Sequence, residues 1–163
     1  MATRSFVRML EMKLDEVFFV FWHLPKQLTS AAKRLGLQSL RDDVLARAAT
    51  IRARASKLLT TLGTWGGRKP APCDCADLDS ELNELRHAAK SPGPEWWLYA
   101  SALRITRKLN GMVRERLLEA RRLAHLLGER VLAADIKQLL DEDNETAAHP
   151  SLVNGTPEQR DGT

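Results

Sequence analysis

The stretch whose reading decides the fold is Val17-Phe18-Phe19-Val20-Phe21-Trp22-His23-Leu24-Pro25-Lys26-Gln27-Leu28. Three readings compete: a membrane anchor, the end of a helix stopped by Pro25, or the middle of a long core helix that tolerates a proline. A bilayer-spanning helix needs about 20 apolar residues in succession, and the uninterrupted run from Val17 already ends at Trp22. The charged residues Arg4, Arg8, Glu11, Lys13, Asp15 and Glu16 precede it, so the basic, apolar and small-residue regions of a secretory signal are not laid out here. The expectation is a cytoplasmic protein with no membrane partner.

Stepping outward by three and four residues, the apolar positions are Phe6, Leu10, Leu14, Val17, Phe21, Leu24, Leu28, Ala31 and Leu35. That is a helical stripe, and it passes Pro25 in phase. A proline inside a helix costs about 3 kcal/mol, yet a long packed face can hold a kinked helix together. Two short helices meeting at Leu24 remain the alternative.

The pattern then repeats. Leu40, Val44, Ala48, Ile51, Ala55, Leu58 and Leu62 predict a second helix, closed by Gly63, Gly66 and Gly67. A connection rich in glycine and proline follows to Asp77, where Asp77 or Asp79 is expected to cap a short helix reaching about Lys90. Ser91-Pro92-Gly93-Pro94 breaks the chain, and Pro94 suits a first helical position. The third long stripe is Leu98, Ala102, Ile105, Leu109, Met112, Leu117, Ala120, Ala124 and Leu127, with Gly128 as its stop. Leu132, Ile136, Leu139 and Leu140 carry a fourth, which fades after Asp143.

A chain of 163 residues is one domain's worth and can bury a core without disulfides or metal. Its aromatic content of 6% and the lack of alternating segments argue against a β fold. The fold expected is all-α, an antiparallel four-helix bundle with one additional short helix, because short connections join helices one to two and three to four. Residues 1–147 form the bundle domain, and 148–163 have the polar composition of a disordered tail.

The chemistry legible in the sequence is sparse. Cys73 and Cys75 flank Asp74 and are expected to be reduced thiols rather than a disulfide between distant elements. With His87 they make a soft-metal set that matches no zinc module. Glu84 and His87 form the only Glu-x-x-His step, expected as a surface pair. His23 lies beside an apolar face and His125 near a helix end, and neither has a catalytic partner visible in the sequence. No nucleophile triad, phosphate loop or paired acid stands out, which favours a non-catalytic role. The net charge of +4 permits nucleic acid without demanding it. Ser30-Ala31-Ala32-Lys33-Arg34-Leu35-Gly36-Leu37 reads like the start of a helix-turn-helix, but Asp42 and Asp43 stand where its recognition helix would meet phosphates.

In this order the helices resemble the YciF-type ferritin-like proteins, a bacterial stress-associated family, over about residues 10–147. Trp22-His23-Leu24-Pro25-Lys26-Gln27-Leu28 is similar to a run in that family's first helix, and Gly66-Gly67-Arg68-Lys69-Pro70 followed by Cys73 resembles its second-helix exit. Leu127-Gly128 and Leu140-Asp141-Glu142-Asp143 resemble its last turn and helix. The resemblance implies a ferritin-like bundle with a di-metal site of iron or manganese. This chain departs from it at the ligands. Pro25 stands for the inward glutamate, Arg47, Thr50 and Arg54 for the second helix's acid and histidine positions, and Asn110-Gly111-Met112-Val113 for a Glu-His-Tyr-Glu run.

Only Glu142 and Asp143 persist as residual metal candidates, and a lone carboxylate cannot hold a dinuclear centre. The expected function is therefore a non-catalytic stress-associated binding or structural protein without a cofactor. Apolar groups beyond the stripes, among them Phe18, Phe19, Trp96 and Trp97, point to a homodimer. The alternatives are a metal-binding bundle with replacement ligands and a basic helix-turn-helix-like DNA-binding protein.

Overall fold

A computed structural model describes residues 2–148 of the chain. Five helices follow one another: α1 Ala2–Ala32, α2 Gln38–Thr64, α3 Ala76–Lys90, α4 Glu95–Leu126 and α5 Arg130–Ala148. Pro25 lies inside α1 and is buried, so the stripe is one helix and not two. The expected tail falls, apart from Ala148, outside the described residues.

The polar pairs between helices set their directions. Thr29, Phe21 and Glu11 of α1 meet Arg52, Arg54 and Arg68 in turn, so α1 and α2 run antiparallel. Lys13 and Glu16 meet Glu119 and Arg116, which makes α4 antiparallel to α1. Arg54 reaches Asp143 while Arg114 reaches the same carboxylate, closing α5 against both α2 and α4. The result is an antiparallel four-helix bundle of α1, α2, α5 and α4. The shorter α3 packs against α1 and α4 from outside. Its Leu78, Leu82 and Leu85 are buried there.

The core is the set of stripes read from the sequence. Leu10, Leu14, Val17, Phe21, Leu24 and Leu28 are almost wholly buried, as are Val44, Leu58, Ile105, Leu109, Leu117 and Ile136. Leucines of this kind contribute roughly 1.5–3 kcal/mol each when fully buried. Three details differ from the sequence reading. Phe6 is 37% exposed, because the first two turns of α1 project past the core. Val113 rather than Met112 is fully buried, since Leu109, Val113 and Leu117 keep a step of four. Neither acid caps α3: Cys75 holds the N-cap position, with Asp77 and Asp79 in the first turn, and Pro94 is likewise the N-cap of α4.

Gly128 ends α4 as expected. Its φ of 74° is left-handed, and Glu129 N–H reaches Ala124 O at 2.8 Å while Gly128 N–H reaches His125 O at 3.1 Å. Those are the two bonds of a Schellman close, where glycine avoids the Cβ penalty. The long connection from α2 to α3 crosses α1 on its way. Arg68 pairs with Glu11 at 2.6 Å, and Ala71 N–H donates to Asp15 Oδ1 at 3.1 Å. At the opposite end Leu37 N–H donates to Glu95 Oε1 at 2.7 Å, fixing the start of α2 to the start of α4.

Candidate functional site

Two polar clusters interrupt the apolar packing. The first lies in the bundle interior. Arg54, on the α5 side of α2, is only 5% exposed. Its Nη2 donates to Leu139 O at 3.0 Å, its Nη1 lies 3.7 Å from Asp143 Oδ1, and its guanidinium sits 4.7 Å from the centre of the Phe21 ring. Burial lowers its pKa, against the pull of Asp143 and Glu142. Arg114 approaches Asp143 from α4 at 3.8 Å, and Glu142 pairs with Lys57. Glu142 and Asp143, the residual metal candidates, are thus both paired with cations.

Pro25, one turn on from Phe21 in α1, is buried, and its carbonyl accepts a hydrogen bond from Thr29 Oγ1 at 2.8 Å. Arg47 pairs with Asp43, which also accepts from the Tyr99 hydroxyl at 2.7 Å, and Thr50 is exposed. Among the described residues no three histidine, cysteine, aspartate or glutamate side chains converge on a metal-sized site.

The second cluster gathers where α1, α4 and the start of α3 meet. Arg116 is its centre. Its Nε donates to Glu16 Oε1 at 2.8 Å, and its Nη2 donates to Asp77 Oδ2 at 3.0 Å and to Cys75 Sγ at 3.5 Å. Only 14% of the Arg116 side chain and 12% of Glu16 are exposed, so this pair is better shielded from solvent than the surface ion pairs around it. The Cys75 thiol donates to Asp77 Oδ1 at 3.0 Å. Burial pushes Cys73 up to about 12, helped by Cys75 and the nearby Glu16 and Asp15 carboxylates. Cys75 is also raised, by burial and by its bond to Asp77, although Arg116 opposes this. Both cysteines are free thiols, as the sequence suggested.

The histidines stay apart. His87 is exposed near the far end of α3, about 18 Å from Cys75 along the helix at 1.5 Å per residue. Glu84 is exposed and pairs with Arg104 at 2.7 Å. His23 is half-buried against Phe19, with ring centres 4.5 Å apart, and its pKa is lowered by burial and by Lys26. His125 is exposed.

This architecture is shared with solved proteins. The crystal structure of the E. coli stress protein YciF matches with a TM-score of 0.74 at 16% identity, over 86% of this chain and 89% of that one. This chain has the YciF fold. YcfI from Rhodopseudomonas palustris, named a candidate structural protein, matches with a TM-score of 0.76 at 14% identity, over 93% and 94% of the two chains. No protein-family model and no curated protein matches the sequence. The YciF-type bundle read from Trp22–Leu28, the Gly66–Cys73 exit and Leu127-Gly128 is therefore the bundle found. No helix among the described residues is long and apolar enough to cross a membrane.

Sequence reasoning named Arg54 only as a departure from the family's ligand positions, and passed over Glu16 and Arg116 as site residues. Each sits beside a stripe residue: Arg54 before Ala55, Glu16 before Val17 and Arg116 before Leu117. The signal was charge at the edge of an apolar face. It becomes readable only when the helix pairing brings Glu16 and Arg116 together.

Proposed function

We propose that this chain is a non-catalytic YciF-type bundle in which a buried guanidinium, rather than a metal pair, is the fixed cation of the interior, and that it works as a stress-associated binding or structural protein. The observation that carries this reading is Arg54: a cation 5% exposed, hydrogen-bonded to α5 and facing the α1 helix that bears Pro25. The donor set does not fit a dinuclear centre. Several oxygen and nitrogen ligands must be free to bind, whereas Asp143 faces two arginines and Glu142 a lysine. A divalent ion beside a guanidinium would also meet like charge in a poorly screened interior. The stress-related and structural names of YciF and YcfI support the physiological half of the reading.

The test is elemental analysis of protein purified with iron or manganese supplied. Far less than one ion per chain is the expected result. One or two ions per chain, lost on Asp143→Asn, would favour the replacement-ligand alternative instead.

The same reading takes the protein as a cytoplasmic homodimer. Trp22 is 48% exposed and Trp96 67%. Phe18 stacks on Trp22 at 5.8 Å, and Lys26 lies 4.5 Å over the same indole, so an amphipathic aromatic surface is already organised on α1. Sedimentation at high protein concentration is expected to give twice the chain mass, and a strictly monomeric mass removes this part of the proposal.

A further inference from the structure

One side of the bundle is open. α1 packs closely on α2 and on α4, and α4 on α5, whereas α2 and α5 barely touch. Arg54 bridges them through Leu139 O. From there toward the C-terminal end of α2, Lys57, Thr61 and Thr64 stand against α5 where leucines would close the gap. Two cavities occupy it, one of about 340 Å³ and one of about 250 Å³. Thr61 and Asp135 line both, so the two adjoin as one cleft. We propose that this cleft binds a linear organic polycation, an aliphatic amine of the polyamine class.

Thr61 marks the cleft as a place for a polar guest. The residue is 7% exposed. Its neighbours Thr60 and Thr64 donate to carbonyls one turn back, at 3.2 and 3.0 Å. The Thr61 hydroxyl makes no hydrogen bond with any described residue. A buried hydroxyl without a partner is a cost to the fold, and a donor or acceptor lying in the cleft removes it.

The carboxylates set the charge of the guest. Asp135 and Glu129 line the cleft, and neither forms an ion pair with a described residue. Lys57, the cation that lines it, is held by Glu142. The C-terminal end of α2 and the N-terminal end of α5 both lie here, so their dipoles oppose and the acids decide the sign. Six helical residues separate the two acids by about 9 Å along α5, a spacing that suits ammonium groups carried on one aliphatic chain. Leu139, Leu132 and Val131 give the methylenes an apolar wall. Trp65 also lines the cleft, with Arg68 over its ring at 4.1 Å, so this indole already serves a cation. A metal ion is a poorer fit, because no three histidine, cysteine, aspartate or glutamate side chains converge among the described residues.

The test is calorimetric titration of the full chain with spermidine at physiological salt. Thr61→Val, Asp135→Asn and Glu115→Gln are run alongside, with propylamine and magnesium as comparisons. One spermidine per chain is expected, bound at least about 10-fold more tightly than propylamine, since a monoamine reaches only one acid. Asp135→Asn is expected to weaken binding by about 10-fold or more, the effect of one charge-assisted bond, and Thr61→Val by about 2–10-fold, the effect of a neutral one. Thr61→Val keeps the side-chain shape and removes an unpartnered hydroxyl, so its Tm without ligand holds or rises; a merely structural role would lower it. Glu115 is exposed on α4, and its neutralisation outside the cleft leaves binding unchanged. Circular dichroism checks the fold of each variant, and Thr61→Val decides the outcome if Asp135→Asn unfolds. Absence of spermidine binding, equal affinity for propylamine, displacement by equimolar magnesium, or an equal loss in Glu115→Gln overturns the proposal. Iron or manganese in the interior would overturn the proposed function and leave this cleft untouched.

Discussion

Replacing Arg54 by alanine and by methionine separates its charge from its packing. Arg54→Ala removes a charge-assisted bond to Leu139 O, worth about 1.5–3 kcal/mol. It also removes the contact with the Phe21 ring, worth about 0.5–2 kcal/mol, and the side-chain stem that fills the space between α2 and α5. Against this, the fold no longer has to desolvate a guanidinium, a cost of several kcal/mol per ion, and Asp143 keeps Arg114 as a partner. The net loss expected is about 3 kcal/mol. A chain of this size shifts its Tm by roughly 2–4 °C per kcal/mol, so Arg54→Ala lowers it by about 6–12 °C. Arg54→Met retains most of the apolar stem and drops the charge, and is expected within about 1 kcal/mol of the parent or above it. Urea and thermal unfolding followed by far-UV circular dichroism at neutral pH read both values. If Arg54→Met falls as far as Arg54→Ala, the charge itself holds the bundle together and the desolvation argument is wrong.

Three further outcomes follow from the geometry. Pro25→Ala restores an N–H inside α1 but gives up a buried ring, so a helix cost of about 3 kcal/mol is offset by about 1–2 kcal/mol of lost burial and by a freer unfolded chain; a small net gain in urea midpoint is expected, and a loss contradicts it. Asp77 has its pKa lowered from 3.8, first by the Cys75 thiol, with burial opposing and Arg116 and the Leu78 amide assisting. Its contribution is therefore present above that value and lost as pH falls through the folded pKa. The stability difference between the parent and Asp77→Asn should be flat above the carboxylate range and shrink below it. His23 is held below 6.5 by burial and then Lys26, so the fold favours the neutral ring, and the stability it contributes above 6.5 is lost as pH falls through the lowered value. A His23 NMR titration with its midpoint at or above 6.5 would refute this, and His23→Gln should flatten stability over that window.

Helix content was legible because burial follows period. Leu10 to Leu28 repeat at three and four, and no chemistry other than packing is needed to place them. Pro25 was the hard case, and phase on both sides of it decided correctly because a long apolar face outweighs one missing bond. Ends were less legible. Phe6 continues the stripe in sequence but projects past the bundle, since periodicity records a face and not what stands opposite. The cap of α3 lies at Cys75, two residues before Asp77 and four before Asp79, and Pro94 sits one place outside the helix; Asp77 spends its oxygens on Cys75, Leu78 and Arg116 rather than on a cap. The polar clusters were the least legible part. Glu16, the Cys75–Asp77 pair and Arg116 lie far apart in sequence, and no local rule links α1 to α4 before the fold does.

The central position of α1 has a consequence for how the protein is made. It packs on α2, α3 and α4, yet it leaves the ribosome before any of them. At about 5–20 residues per second, the chain from the end of α1 at Ala32 to the end of α4 at Leu126 takes roughly 5–20 s to appear. The hairpin with α2 covers one side early, but the side owed to α4 stays open for nearly the whole interval. During that time Val17, Phe21 and Leu24 belong to a nascent amphipathic helix with an uncovered flank, which is the state that chaperones bind and neighbouring nascent chains can capture. The order of synthesis, and not only the strength of the finished core, therefore bears on how safely this bundle assembles.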